Sequence, residues 1–227
     1  MNFVMIGKPK TIIDIKENNK FNIAIGKKRD SFNILVIDDE EFEKEHDLRK
    51  LGYKISVMSD LNNVIDVEKY DIVLCDIKGV GKKLFGINGD GCMLIEEIRK
   101  HYPAKYLIAF SGETYNVDKN KYFSMADDWI TKAESDIDKW TNLLDNAFLD
   151  LLNSFHYWSR IRSSLLNNNV SIIDVLRLED SFANSILSGK SEFPPKKIKI
   201  NFDSVTWQML INVASTAAYN ILIRGRL

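Results

Sequence analysis

From Phe32 onward, short apolar runs alternate with longer stretches that are apolar on one side only. The segments "NILVID", "YKISVM", "DIVLCD", "KYLIAFS" and "DWITK" read as strands. "NILVID" has no alternation of apolar and polar positions, as expected of a strand covered on both faces. Between the strands, "EEFEKEHDLRKLG", a short "LNNVIDVEKY" and "GCMLIEEIRKHYP" read as helices, with Gly52 placed to close the first and Pro103 to end the last. Strands and helices in this rhythm predict parallel βα units and a doubly wound α/β sheet of five strands, for which 2-1-3-4-5 is a common order.

The flanks follow other patterns. Residues 1–31 hold three apolar runs, Phe3–Ile6, Ile12–Ile15 and Phe21–Ile25, separated by "GKPK" and "KENNK". They predict an N-terminal β extension. Beyond the sheet region, residues 140–166 read as one long helix. Leu144, Phe148, Leu151, Phe155 and Trp158 recur along it at alternating spacings of four and three. Such a heptad seam suits a helical hairpin or a homodimer. "NNN" at 167–169 breaks it. A second helix, "SIIDVLRLEDSFANSILSG", has Ser171 to cap it and Gly189 to stop it. Pro194 and Pro195 mark a loop, "KIKINF" alternates like a short strand, and Asp203 caps a last helix from Val205 to Ile223. The expected division is a β extension (1–31), a sheet domain (32–139) and a mainly helical region for dimerisation or output (140–227).

Composition narrows the function classes. The chain has 227 residues, 45% hydrophobic and 28% charged, which is ordinary for a globular protein with a core. A formal net charge of -1 leaves no whole-chain electrostatic footprint for nucleic acid. After Trp140 there are nine Lys/Arg against seven Asp/Glu, with no basic helix face, which argues against a DNA-binding output. Cys75 and Cys92 have no metal-type spacing and point to reduced thiols in a cytoplasm. No apolar run of signal-peptide length opens the sequence. Val205–Ile223 carries no formal charge, but Thr206, Gln208, Asn212, Ser215, Thr216 and Asn220 argue against a membrane span.

The chemistry is concentrated at the strand ends, where ligands of doubly wound sheets sit. "NILVIDDEE" runs from an apolar strand straight into acids, an arrangement that costs free energy unless a cation neutralises it. The strand ends carry Asp38 and Asp39, then Asp76, Ser111 and Lys132. Three carboxylates can hold Mg²⁺ while the ion keeps several waters. A carboxylate beside the ion can take up a phosphoryl group, and Asp76, at the end of the middle strand, is the nucleophile this order selects. Asp38 and Asp39 are then metal ligands. Lys132 and Ser111 supply further neutralisation of the transferred group.

These motifs bring a family into view. From about Phe32 to Trp140 the chain resembles the receiver domain of bacterial two-component response regulators (CheY-like). "ILVIDDE" looks like its acidic first-strand motif and "DIVLCDIK" like its phospho-acceptor strand. "LIEEIRKHYP", "LIAFSGE" and "ADDWITKAES" are similar to its later landmarks. The resemblance implies phosphorylation of Asp76 by a histidine kinase or phosphotransfer protein. It implies signalling through protein contacts or dimerisation, and at most Mg²⁺-dependent self-phosphorylation with slow autodephosphorylation. The contrasting expectation is a phosphate-independent adaptor or decoy on the same fold. The family's switch aromatic corresponds to Trp129, and its lifetime-tuning positions to Lys78 and Glu113. The stretch "DIKGVGKKLFGINGDG" is longer than usual and lacks the usual proline. The span from Asp39 to Asp76 is shorter, which implies a reduced second helix. Ala133 replaces the usual proline after Lys132, so either a cis or a trans bond is open there. His46 is expected on a solvated helix face. His156 is read as an ordinary helix histidine, with a phospho-accepting role as the sharper alternative.

Overall fold

The computed structural model describes residues 9–18, 28–112, 125–195 and 202–224. Along the chain run α1 (Ile12–Asn18), β1 (Asn33–Ile37), α2 (Glu45–Lys50), β2 (Lys54–Met58), β3 (Ile72–Asp76), α3 (Lys82–Phe85) and α4 (Gly91–His101). Then come β4 (Tyr106–Ser111), β5 (Asp128–Thr131), α5 (Ile137–Leu151), α6 (Ser154–Asn167), α7 (Ile172–Ser188), α8 (Ser204–Ser215) and α9 (Ala217–Arg224). The five strands form one sheet in the order β2-β1-β3-β4-β5. Every pairing is parallel.

Alternation within the strands sorts the two faces. Ile34, Val36, Ile72, Leu74, Ile108 and Phe110 pack into a cluster with Leu48 of α2 and with Trp140, Leu144 and Phe148 of α5. Leu35, Ile37, Val73, Cys75, Leu107 and Ala109 pack against Leu94, Ile95 and Ile98 of α4. Both faces are dry, which is why the strands read as unbroken apolar runs. The first cluster continues without a break into α6, α7, α8 and α9 through Trp158, Phe182 and Tyr219.

The second helix of the sheet region is reduced to one 3₁₀ turn, Val64–Val67, as the short Asp39–Asp76 span implies. The first helix is shorter than its sequence pattern. Residues 40–44 form turns instead, because Asp38 Oδ1 accepts the Glu40 N–H and Phe42 folds into the ring cluster of Phe110 and Trp140.

Three expectations are corrected. Ile12–Ile15 is helical rather than part of a β extension. Asp14 accepts the Thr11 N–H at 2.7 Å, and Ile12 and Ile15 bury one face against α6 and α7. Far along the chain, Glu179 accepts the Ile12 N–H and Asp180 the Lys10 N–H. The other two N-terminal runs lie outside the described residues, as does "KIKINF" apart from Phe202. The long helix over 140–166 is two helices, because Asn153 caps a new one by accepting from Phe155 and His156 N–H. The last helix is also two, broken at Thr216, whose ψ of 150° is extended.

The break decides the fate of the heptad seam. Leu144, Phe148, Leu151 and Trp158 are fully buried inside the chain, whereas Phe155 is 43% exposed. The seam is a helical hairpin's core, not a face left over for a homodimer. Phe155→Glu is therefore expected to change unfolding free energy by no more than about 0.5 kcal/mol, the range of surface substitutions. Urea unfolding measures it, and a loss of several kcal/mol would place Phe155 in the core after all.

Candidate phosphoryl-transfer site

β1 and β3 are neighbours, so their carboxyl ends bring Asp38, Asp39 and Asp76 together. One oxygen from each lies within 4.8 Å of the others. Asp38 and Asp76 are buried at 3% exposure each, while Asp39 is exposed. β4 lies on the other side of β3, with Phe110 opposite Asp76, so Ser111 stands one residue beyond it. Ser111 is buried, and its carbonyl accepts the Lys132 N–H at 2.8 Å. That bond extends the β4–β5 ladder and aims Lys132 back across the sheet edge. Its Nζ lies 2.8 Å from Asp38 and 2.6 Å from Asp76, with exposed Glu40 at 3.4 Å. The same ammonium sits 5.4 Å above the centre of the Phe110 ring.

Burial and charge oppose each other here. Burial pushes the Asp76 carboxyl above the ordinary carboxylate range, against the pull of Lys132 and the Lys78 N–H. Burial alone would lower the Lys132 ammonium, but its bonds to Asp38 and Asp76 win and raise it. Three carboxylates against one ammonium leave two negative charges, which one divalent cation balances. The donor set is all oxygen, which suits Mg²⁺. Space for the Asp39 carboxylate is built into the backbone. Gly79 has φ +80°, and a Cβ there would stand 1.9 Å from an Asp39 oxygen. The residues present therefore fit Mg²⁺.

The long loop after Asp76 is ordered by a residue that the sequence reading passed over. Asp60, 8% exposed, accepts the N–H groups of Leu61 (2.8 Å), Gly81 (2.7 Å) and Lys83 (3.0 Å). An Asp after a strand is too common a turn residue to have announced this. Lys78 and Lys82 are exposed on the loop, and Val80 is buried under it.

The remaining candidates divide. Trp129 is on the edge strand β5 and 49% exposed. Glu113 lies outside the described residues. Among the described residues the only cis peptide is Phe193–Pro194, so Lys132–Ala133 is trans, and Lys132 still reaches both acids. His46 is exposed, as expected. His156 is exposed too, with Nδ1 2.6 Å from Asp150. No helix among the described residues is long and apolar enough to cross a membrane.

No protein-family model matches the chain, and no curated protein matches it. Among solved structures it is similar to the BeF3-activated receiver domain of DrrB, at 17% identity and TM-score 0.42, over 51% of this chain and 96% of that one. It is similar to a CheY-like response regulator receiver domain protein from Methanospirillum hungatei, at 20% identity and TM-score 0.41, over 51% and 95%. It is also similar to the response regulator TrrA from Thermotoga maritima, in complex with Mg²⁺ and BeF, at 22% identity and TM-score 0.40, over 51% and 98%. These likenesses concern the fold and cover about half of this chain. By itself the strand order is that of a flavodoxin-like doubly wound sheet, to which a helical C-terminal region is added.

Proposed function

We propose that this chain is a response regulator that accepts a phosphoryl group on Asp76 from a histidine kinase or phosphotransfer protein. The observation that carries the reading is the convergence of Asp38, Asp39, Asp76 and Lys132 on one sheet edge. An Asp76 carboxylate oxygen attacks phosphorus in line. The new P–O bond forms as the donor's P–N bond, or P–O bond in an acyl phosphate, breaks. The electron pair leaves on the donor's nitrogen or oxygen. The attacking carboxylate has no proton to lose. Mg²⁺, held by Asp38, Asp39 and Asp76, supplies neutralisation of the transferred oxygens when bound. Lys132, already beside Asp76, pairs with a second phosphoryl oxygen, and the Ser111 hydroxyl on the adjacent strand donates to a third.

Intact-mass measurement with acetyl phosphate and Mg²⁺ tests this. One phosphoryl group is expected on the wild type and none on Asp76→Asn. Identical spectra would leave the chain an adaptor that uses the fold without its chemistry.

Lys78 tunes the lifetime in this reading. Its N–H donates to Asp76 Oδ1 at 3.3 Å, so its side chain starts beside the phosphoryl position. An ammonium there obstructs water's in-line approach and stabilises the phosphorylated state. Lys78→Ala is expected to speed dephosphorylation about threefold, a change of about 0.7 kcal/mol in the barrier. An unchanged or slower decay in a phosphate-release assay would remove Lys78 from this role.

A further inference from the structure

The ammonium of Lys132 is fully engaged before any phosphoryl group arrives. An ammonium has three N–H donors. Asp38 Oδ1 takes one at 2.8 Å, Asp76 Oδ2 one at 2.6 Å and Glu40 Oε2 one at 3.4 Å. The Phe110 ring, its centre 5.4 Å away, covers a further side. For Lys132 to meet a phosphoryl oxygen, one of the three carboxylates must let go.

Burial decides which one. Asp38 and Asp76 are buried, so releasing either leaves a buried charge without its partner, which is costly. The Glu40 side chain is 76% exposed and returns to water at little cost. Its backbone stays in place, since its N–H donates to Asp38 Oδ1 at 3.0 Å. Glu40 and Lys132 together line a cavity of about 450 Å³ beside the acid cluster, a size that admits small molecules. Glu41, Glu43 and Glu134 line it too, with Lys44. Among the described residues, however, Lys132 pairs only with Asp38, Asp76 and Glu40, and Glu134 is taken by Lys139 at 2.7 Å.

Charge adds a second effect. Asp38, Asp39 and Asp76 less Lys132 leave two negative charges, which one Mg²⁺ balances. Glu40 is a fourth carboxylate on the same ammonium, in excess of that balance. It therefore attracts the cation and repels an incoming anion.

We propose that Glu40 is a specificity-determining residue of the Asp76 site. It holds the third donor of Lys132 until a phosphoryl oxygen displaces it, and its excess charge selects against the more negative phosphodonors. The inference rests on the phosphoryl-acceptor function proposed above, and the transfer step is the one written there. With acetyl phosphate the electron pair leaves on an acetate oxygen. With phosphoramidate it leaves on the nitrogen of ammonia.

Intact-mass time courses on the full chain with Mg²⁺, at pH 7 and low ionic strength, test it. Acetyl phosphate and phosphoramidate are the probes, the second being the less negative at this pH. Glu40→Gln is expected to speed phosphorylation by acetyl phosphate about fivefold and by phosphoramidate no more than about twofold. High salt is expected to shrink the difference. Glu41→Gln removes an equal charge from the same cavity but none from Lys132, and is expected to gain clearly less. Titration calorimetry with Mg²⁺ alone is expected to show about threefold weaker binding to Glu40→Gln than to the wild type. Faster transfer together with weaker Mg²⁺ binding is a pair that a merely loosened site does not give. Unchanged or slower phosphorylation of Glu40→Gln, equal gains with the two donors, equal gains in the two variants, or unaltered Mg²⁺ affinity would each overturn the role of Glu40. A wild type that neither donor modifies overturns the proposed function itself, and this inference with it.

Discussion

Gly91→Ala is expected to destabilise the protein by about 3 kcal/mol, at the upper end of what overpacking a filled interior costs. Gly91 opens α4, and its N–H donates to the Ile77 carbonyl at 3.1 Å. A Cβ there would stand 1.7 Å from the Asp76 carbonyl oxygen and 2.9 Å from the Ile77 Cα. Both obstacles are backbone, so no side-chain rotation relieves them. The helix must move away from the strand that carries Asp76. For a chain of this size the loss corresponds to a fall in Tm of about 6–12 °C. Gly79→Ala is the control. Its Cβ meets the Asp39 carboxylate, which can swing away, so the main steric effect falls on the acid cluster. Its φ of +80° adds about 1–2 kcal/mol of strain. Thermal melts of the two variants separate these mechanisms. A Gly91→Ala protein melting with the wild type would mean that α4 does not seat against Asp76 as described.

What the sequence revealed and concealed follows from the range of the forces involved. The strands were legible because burial on both faces leaves a local mark, an unbroken apolar run closed by a polar residue. Asp38, Asp76, Ser111 and Lys132 were legible because each ends or follows such a run. Elements fixed by distant residues were not. Four residues such as Ile12–Ile15 fit a strand or a helical turn equally. Glu179 and Asp180, more than 160 positions away, cap the helix that forms. The seam from Leu144 to Trp158 kept its period across a break, because an Asn cap at 153 interrupts the helix without disturbing the apolar spacing. The order of the long loop rests on Asp60, which takes the N–H groups of Gly81 and Lys83 from more than 20 positions away.

Lys132→Met is expected to cost about 3 kcal/mol at pH 8 in EDTA, and clearly less at pH 5. Removing one partner of a buried ion pair leaves the other charge uncompensated, commonly at about 3–5 kcal/mol. Lys132 is 22% exposed, so the lower end applies. The pH dependence comes from both sides of the pair. The raised Lys132 ammonium contributes stability that is complete below its unfolded value and is lost only as pH rises through the folded one, so at pH 8 it is wholly present in the wild type. The raised Asp76 carboxyl acts in the opposite sense, costing stability as pH rises above its ordinary range. Without Lys132 its folded value climbs further, because burial and Asp38 then act with little opposition. Because that value lies above the ordinary carboxylate range, lowering the pH favours the protonated carboxyl in the variant and relieves part of the penalty. Mg²⁺ at pH 8 is expected to recover part of the loss, since a cation among the three acids replaces the missing charge. It is not expected to restore phosphorylation, for which the ammonium must also meet the transferred group. Urea unfolding at the two pH values, with and without Mg²⁺, checks the first part, and intact mass checks the second. Equal destabilisation at pH 8 and pH 5 would show that Lys132 holds the site by packing rather than by its charge.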